Sequence, residues 1–289
     1  MKNLIFIFIV ISVFAVLTSC EDDVPTEYVP ETFVEGLLIV DEPIKNVILM
    51  KSQPIQDTFR LMESLISDAD VFVRYDDKEI KLTFSDDPSH PGYYYEDTEY
   101  LVEPNKTYSL EIKLKDSEEL ITGVTTTPNR IEWVVPPKPI IQYPIDSTNP
   151  GKNDSLKFSW TEGNVPSGWY IIRTRNYDTL EYGKYLDPPT EDMNRRITKP
   201  FESSRGFNDL AFFTIIQSDE IEFVWTWFKW YGKNDIKVYA PDPNYFIWFL
   251  QFQRSAQIIQ GSSSVEGALG LWGSASAVSA PTFILKNQP

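Results

Sequence analysis

Apolar and polar residues alternate along three stretches of the first half of the chain: Val71, Val73, Tyr75; then Ile80, Leu82, Phe84; then Tyr108, Leu110, Ile112, Leu114. A period of two predicts strands with one buried face. Asp76-Asp77-Lys78 and Asp116-Ser117-Glu118 interrupt these runs with turn formers, which predicts hairpins between neighbouring strands. Glu35-Gly36 leads into Leu37 to Val40, and Val47 to Met50 follows the Asp41-Glu42-Pro43 break. About seven short strands over 33–128 predict an antiparallel β-sandwich of immunoglobulin or transthyretin type.

The second half opens with the same alternation at Leu156, Phe158 and Trp160, followed by a continuous apolar run from Trp169 to Thr174. The segment from Ile221 to Tyr231 carries large residues at both parities and is expected to be a strand, with Trp225 and Trp227 on one face and Trp230 on the other. One helix is predicted near 243–260. Asp242 suits its cap and Pro243 its first turn, while Tyr245, Trp248, Phe249, Phe252, Ala256 and Ile259 recur at three- and four-residue spacing. A glycine- and serine-rich connection is expected to lead to a last strand from Pro281 to Leu285. Between the halves, Pro128, Pro136, Pro137, Pro139, Pro144 and Pro150 predict a stiff linker over 129–152. The expected fold is mainly β: an N-terminal sandwich over 33–128 and a β-rich C-terminal domain over 153–289 with one amphipathic helix.

The N-terminus has a different character. Lys2 precedes an uncharged run from Leu4 to Leu17, too short for the ~20 residues a spanning helix needs. It reads as the apolar core of a signal peptide over 1–19. The run ends in Leu17-Thr18-Ser19-Cys20, which resembles the bacterial lipobox, whose cysteine sulfur receives a diacylglyceryl group. Cys20 is the single cysteine of the chain and falls where that motif requires one. Glu21-Asp22-Asp23 opens an acidic tether over 20–32 and resembles the short acidic signal for export to the outer face of the outer membrane.

Composition narrows the chemistry. With 42 acidic and 26 basic side chains the formal charge is −16, which argues against nucleic-acid binding. The acidity is concentrated in residues 20–130, which hold 25 acids and 10 bases. One cysteine and one histidine exclude a disulfide framework, a multi-thiolate metal site and any site needing two imidazoles. No cofactor is expected. His90 lies in a loop, Ser85 to Gly92, too tight to bring a nucleophile, base and acid together. Asp68, Asp70, Asp76, Asp77, Asp86 and Asp87 are oxygen ligands suited to Ca²⁺, but without EF-hand spacing they read more simply as solvated loops. Trp225, Trp227, Trp230 and Tyr231 are the candidate ligand-binding residues, since indoles can stack on sugar rings or receive a partner, against the competing reading of core packing.

Several strings, in order, resemble a Bacteroidota lipoprotein family known as domain of unknown function 4249. They are Glu35-Gly36-Leu37 before Asp41-Glu42-Pro43, Ala69-Asp70-Val71-Phe72-Val73, Gly92-Tyr93-Tyr94, Thr107-Tyr108-Ser109-Leu110-Glu111-Ile112, Thr125-Thr126-Thr127-Pro128, and Val265-Glu266-Gly267-Ala268-Leu269-Gly270-Leu271-Trp272-Gly273. Ala268 stands where a third glycine is expected and Trp272 where phenylalanine is expected. The resemblance supplies no catalytic residues. It implies a lipid-anchored outer-membrane protein whose relatives are commonly encoded beside TonB-dependent receptors. The expected function is that of a non-enzymatic accessory component of nutrient uptake. A stand-alone carbohydrate-binding lipoprotein and an envelope glycoside hydrolase using paired carboxylates are the alternatives.

Overall fold

A computed structural model describes residues 28–54, 56–115, 117, 119–143, 156–165, 168–177, 211–222, 225–228, 231–253 and 263–285. It is mainly β, as the alternation predicts. The strands of the first half are β1 (Thr32–Ile39), β2 (Ile48–Lys51), β3 (Asp70–Tyr75), β4 (Lys78–Ser85), β5 (Gly92–Tyr94), β6 (Thr107–Lys113) and β7 (Leu120–Thr126). A one-turn helix, α1 (Leu61–Ser64), lies between β2 and β3. Next come β8 (Trp133–Val135), β9 (Ile140–Gln142), β10 (Lys157–Trp160), β11 (Tyr170–Asn176), β12 (Ala211–Ile216), β13 (Glu220–Glu222) and β14 (Gly232–Pro241). Helix α2 (Pro243–Gln253), β15 (Val265–Glu266) and β16 (Leu269–Leu285) complete the order.

Three sheets result. A long one runs β12-β11-β14-β16-β1-β2, with β9 parallel beside the end of β16. A second runs β15-β7-β6-β3-β4-β5 and a third β13-β10-β8. In the second sheet Val71, Val73, Tyr75, Ile80, Leu82, Tyr108, Leu110 and Ile112 point inward, so the period of two is realised as read. Asp76 makes the β3–β4 turn with φ of 47°, a left-handed conformation that aspartate tolerates better than most residues. On the outward face charges pair across strands: Arg74 bridges Glu79 at 2.7 Å and Glu111 at 2.5 Å, and Lys81 reaches Asp70 at 2.7 Å. The Arg74 hydrogen bond, with Lys113 beside it, holds the Glu111 carboxyl down to about 2. Much of the acidic excess of this half sits on such solvated faces.

Hydrogen bonding crosses the division expected at 129–152. β1 pairs with β16 in parallel, Phe33 opposite Leu269 through Ile39 opposite Ala275. β16 then pairs antiparallel with β14, Ala275 opposite Pro241 through Ile284 opposite Gly232. One strand therefore serves two cores. Its first half closes the core of Val34, Leu38, Val71, Tyr108 and Leu110, and its second half closes that of Phe158, Trp160, Trp225, Ile236 and Val238. The proline-rich stretch supplies β8 and β9, one to the third sheet and one to the long sheet.

The glycine- and serine-rich connection expected before Pro281 is itself strand: β16 runs seventeen residues without a break. Close packing surrounds it. Trp272, fully buried, lies over Gly36 on β1 and Gly123 on β7, where an added Cβ would come within 2.6 Å and 2.9 Å of the indole side chain. Its Nε1 donates to the Tyr108 carbonyl at 3.1 Å. Gly270 has φ of 139°, and a Cβ there would stand 1.8 Å from the Val34 carbonyl oxygen. Only glycine allows β1 that close.

Helix α2 starts as predicted. Asp242 Oδ1 accepts from the Tyr245 amide at 2.8 Å, Pro243 fills the first helical position, and Tyr245 and Phe249 pack on Tyr239, Ile171 and Ala275 on the outer face of the long sheet. The predicted extension toward 260, with Ala256 and Ile259, lies outside the described residues.

Truncating Trp272→Ala removes a fully buried indole shared by three strands, for which a loss of about 3–5 kcal/mol is expected. Urea unfolding followed by far-UV circular dichroism checks this; a loss under about 1 kcal/mol would contradict the packing described.

Candidate functional site

Cys20, Glu21, Asp22 and Asp23 lie outside the described residues, as does Trp230. The other candidate residues do not form a strand. β13 ends at Glu222, and Trp225–Trp227 is a single 3₁₀ turn, with the Phe228 amide donating to the Trp225 carbonyl at 3.1 Å. The physical reason is burial. A strand would send Trp225 and Phe228 to opposite faces, whereas a three-residue turn stacks positions i and i+3 on one side, and both are in the core. Trp225 packs edge-on against Tyr143 at 5.1 Å, Tyr231 does the same at 5.5 Å, and Trp227 stacks on Phe212 at 5.6 Å. Thr174 Oγ1 and Asn176 Nδ2 donate to the Trp227 and Tyr231 carbonyls, fixing the run to β11. Trp225 is thus core, and no flat exposed platform is built from the described residues of the run.

A different apolar feature lies where the chain enters the fold. Phe33 on β1 stands directly opposite Met50 on β2. With Phe59, Trp248 of α2 and the stem of Lys51 they line a groove of about 290 Å³. Ser52 joins this groove to the entering chain: its hydroxyl accepts from Tyr28 Oη at 2.6 Å and from the Glu31 amide at 2.8 Å. Gln53 holds the loop beyond, accepting from the Arg60 amide at 3.0 Å. That loop and α1 present Phe59, 60% exposed, with Leu61 and Met62 beside it, and Tyr28 and Val29 are exposed on the entering chain. Glu35, also lining the groove, keeps an exposed edge, yet desolvation raises its carboxyl above the usual range. Sequence reading missed this patch. Its one signal is Phe59-Arg60-Leu61-Met62, an apolar cluster without strand or helix period in a polar stretch.

Three further clefts stand out among the described residues. Lys157, Ser159, Glu220 and Glu222 line one of about 500 Å³ on the third sheet; its two carboxylates are two residues apart on one strand. His90, with Tyr94, Tyr95 and Lys45, edges one of about 230 Å³; its imidazole is exposed, Nδ1 3.8 Å from Asp87. Asp70, Asp76 and Asp68 are drawn to Lys81, Lys106 and Lys115, and among the described residues no three His, Cys, Asp or Glu side chains converge to hold a metal.

The last cleft, about 390 Å³, lies between β7 and the start of α2, lined by Asn105, Thr126, Asn164 and Asn244 with Asp242 at its floor. Asp242 is buried, and burial pushes its carboxyl above the usual range. Opposing that push, Oδ1 accepts from the Tyr245 and Ser274 amides at 2.8 and 3.0 Å, and Oδ2 accepts from Thr125 Oγ1 at 2.8 Å. The Asp242 amide donates to the Ser274 carbonyl. The carboxylate therefore ties β7, β16 and α2 together, and the donors that hold it belong to the chain itself. Its arrangement is that of a structural clamp.

A protein-family model described as Domain of unknown function (DUF4249) matches residues 19–280. No curated protein matches the chain. Among the described residues no helix is long and apolar enough to cross a membrane.

Asp242→Ala removes the helix cap and leaves the Ser274 amide unpaired, for an expected loss of about 2–4 kcal/mol. Asp242→Asn separates charge from structure. Because the folded carboxyl binds its proton more tightly than the unfolded one, ionisation works against folding. Wild-type stability relative to Asp242→Asn should therefore fall as pH rises above the ordinary carboxyl value of 3.8. Denaturant midpoints of both proteins between pH 4 and 7 check it; a midpoint of the wild type that rises relative to that of Asp242→Asn as pH rises would contradict the desolvation.

Proposed function

The chain belongs to the DUF4249 family, and from that premise we propose that it is a non-enzymatic, lipid-anchored outer-membrane protein that assists a TonB-dependent receptor in capturing a nutrient. The observation that carries the reading is the placement of the only cysteine, Cys20, directly after Leu17-Thr18-Ser19 and an apolar run from Leu4. The family match begins at residue 19, one residue before it. Two or three acyl chains on one cysteine, at ~0.8 kcal/mol per buried methylene, hold a water-soluble body on a membrane where a single chain would not. Glu21-Asp22-Asp23 supports an outward-facing position, and the resemblance to Bacteroidota lipoproteins supports the association with a receptor.

The fold suits a binding component more than a catalyst. Among the described residues the two buried aspartates are engaged: Asp242 by Thr125, Ser274 and Tyr245, and Asp235 by Arg173 and Ser279. Glu220 and Glu222 lie side by side on one strand rather than facing each other across a substrate. For the carbohydrate-binding alternative, Trp225 is withdrawn into the core, which leaves Trp227 and Tyr231, both half-buried, as its described residues.

Labelled palmitate should enter the wild-type protein and not Cys20→Ala, and the wild-type protein solubilised in detergent should co-purify with a β-barrel receptor. Absence of label in the wild type would remove the anchor. Labelled protein that repeatedly brings down no β-barrel would remove the receptor association and leave the anchor standing.

A further inference from the structure

We propose that the apolar patch around Phe59 and Met62 is a membrane-contacting surface, which the anchored body lays against the bilayer that holds its own acyl chains. This rests on the acylation of Cys20 proposed above. Three observations meet here. The patch is exposed, with Val29 at 76% and Phe59 at 60% and with Met62, Leu61 and Tyr28 beside them. It borders the groove of Phe33, Met50 and Trp248, so the apolar surface continues inward. The chain coming from the anchor arrives at this point, since Tyr28 and Glu31 are both bonded to Ser52, a residue of the groove.

Chain length decides between occupants. Seven residues lie between Cys20 and Tyr28, and at ~3.4 Å per residue step the entry point stays within about 27 Å of the anchor. The bilayer surface is thus always within reach of the patch, at an effective concentration on the order of millimolar for so short a tether. A contact too weak to bring the untethered body to a membrane is sufficient once the body is tethered. The side chains fit an interfacial role: a phenol and a phenyl ring, a flexible thioether, and Lys51 at the edge of the groove to meet lipid phosphates, while Arg60 is paired with Glu63 at 2.8 Å. Exposed apolar surface beside a lipid tether then has its partner in the lipid itself.

The acylated full-length protein, carrying Met62→Cys with an environment-sensitive fluorophore and reconstituted into phosphatidylcholine vesicles, tests this. Acylated Cys20 has no free thiol, so the label is unique. A blue shift at position 62, quenched by lipids brominated along their acyl chains, is expected, and the same label at Val134→Cys on β8 should stay aqueous. Phe59→Ser in the same protein should reduce the shift at least twofold while leaving the unfolding midpoint unchanged, because Phe59 is exposed. Protein that floats with the vesicles while its label at 62 remains aqueous overturns this inference alone. Protein that does not float removes the anchor and this inference with it. A shift that appears without vesicles and grows with protein concentration assigns the patch to a second copy of the chain and likewise overturns it.

Discussion

A seventeen-residue strand must find hydrogen-bond partners along two edges, and how β16 does so organises the rest of the molecule. One edge of its first half is taken by β1 and one edge of its second half by β14. Where β14 stops at Pro241, the edge from Gly270 to Ser274 would be left open in the interior, at a cost comparable to several lost hydrogen bonds. Side chains fill it instead. Ser263 Oγ accepts from the Gly270 amide, Ser264 Oγ from the Trp272 amide, and Asp242 Oδ1 from the Ser274 amide, while Asn244 Nδ2 donates to the Trp272 carbonyl. Asp242 ends the strand ladder and begins a helix with the same oxygen.

That arrangement joins two cores into one mechanical unit. β1 comes from the entry of the chain and β16 from its far end, and their parallel pairing carries the first core across to the second. Trp272 sits at the junction, locked over Gly36 and Gly123. For the lipid-anchored binding component proposed above, such stiffness would keep the exposed surfaces of the body in fixed orientation to one another. The entering chain, the groove of Phe33 and Met50, and the start of β1 all lie at the edge of this unit.

Local pattern made much of the fold legible and the junction not. The alternation of Val71, Val73 and Tyr75 or of Tyr108, Leu110 and Ile112 reports one face of one sheet and needs no distant information. The cap of α2 was readable because Asp242 and Pro243 satisfy helix geometry locally. β16 was read as a connection because Gly270, Gly273, Ser274 and Ser276 have the composition of a loop. The Val34 carbonyl lies against Gly270, Tyr245 of α2 lies against Gly273, and the Ser276 hydroxyl accepts from the Ile131 amide, neighbours that only the assembled structure reveals. Pairing of β1 with a strand more than two hundred residues away left no trace in either segment, and the prolines that suggested a linker flank two short strands. The tryptophan run was misread as a strand because both parities are large, a pattern that a buried turn produces equally. Of the candidate residues, Cys20 is proposed from sequence alone, whereas the patch at Phe59 and Met62 follows no period and shows itself only by its position beside the entering chain.

The central claim, that β16 binds both cores into a single cooperative unit through edge partners on each side, is tested most directly by native-state hydrogen exchange along that strand. The amides of Trp272 and Ser274, held by side chains, and that of Ile236 on neighbouring β14 should exchange only through global unfolding, with a common free energy and a common dependence on denaturant. Exchange of Trp272 and Ser274 by a separate, lower-energy opening while Ile236 stays protected would show that the first half of β16 is an independent flap and would contradict the account.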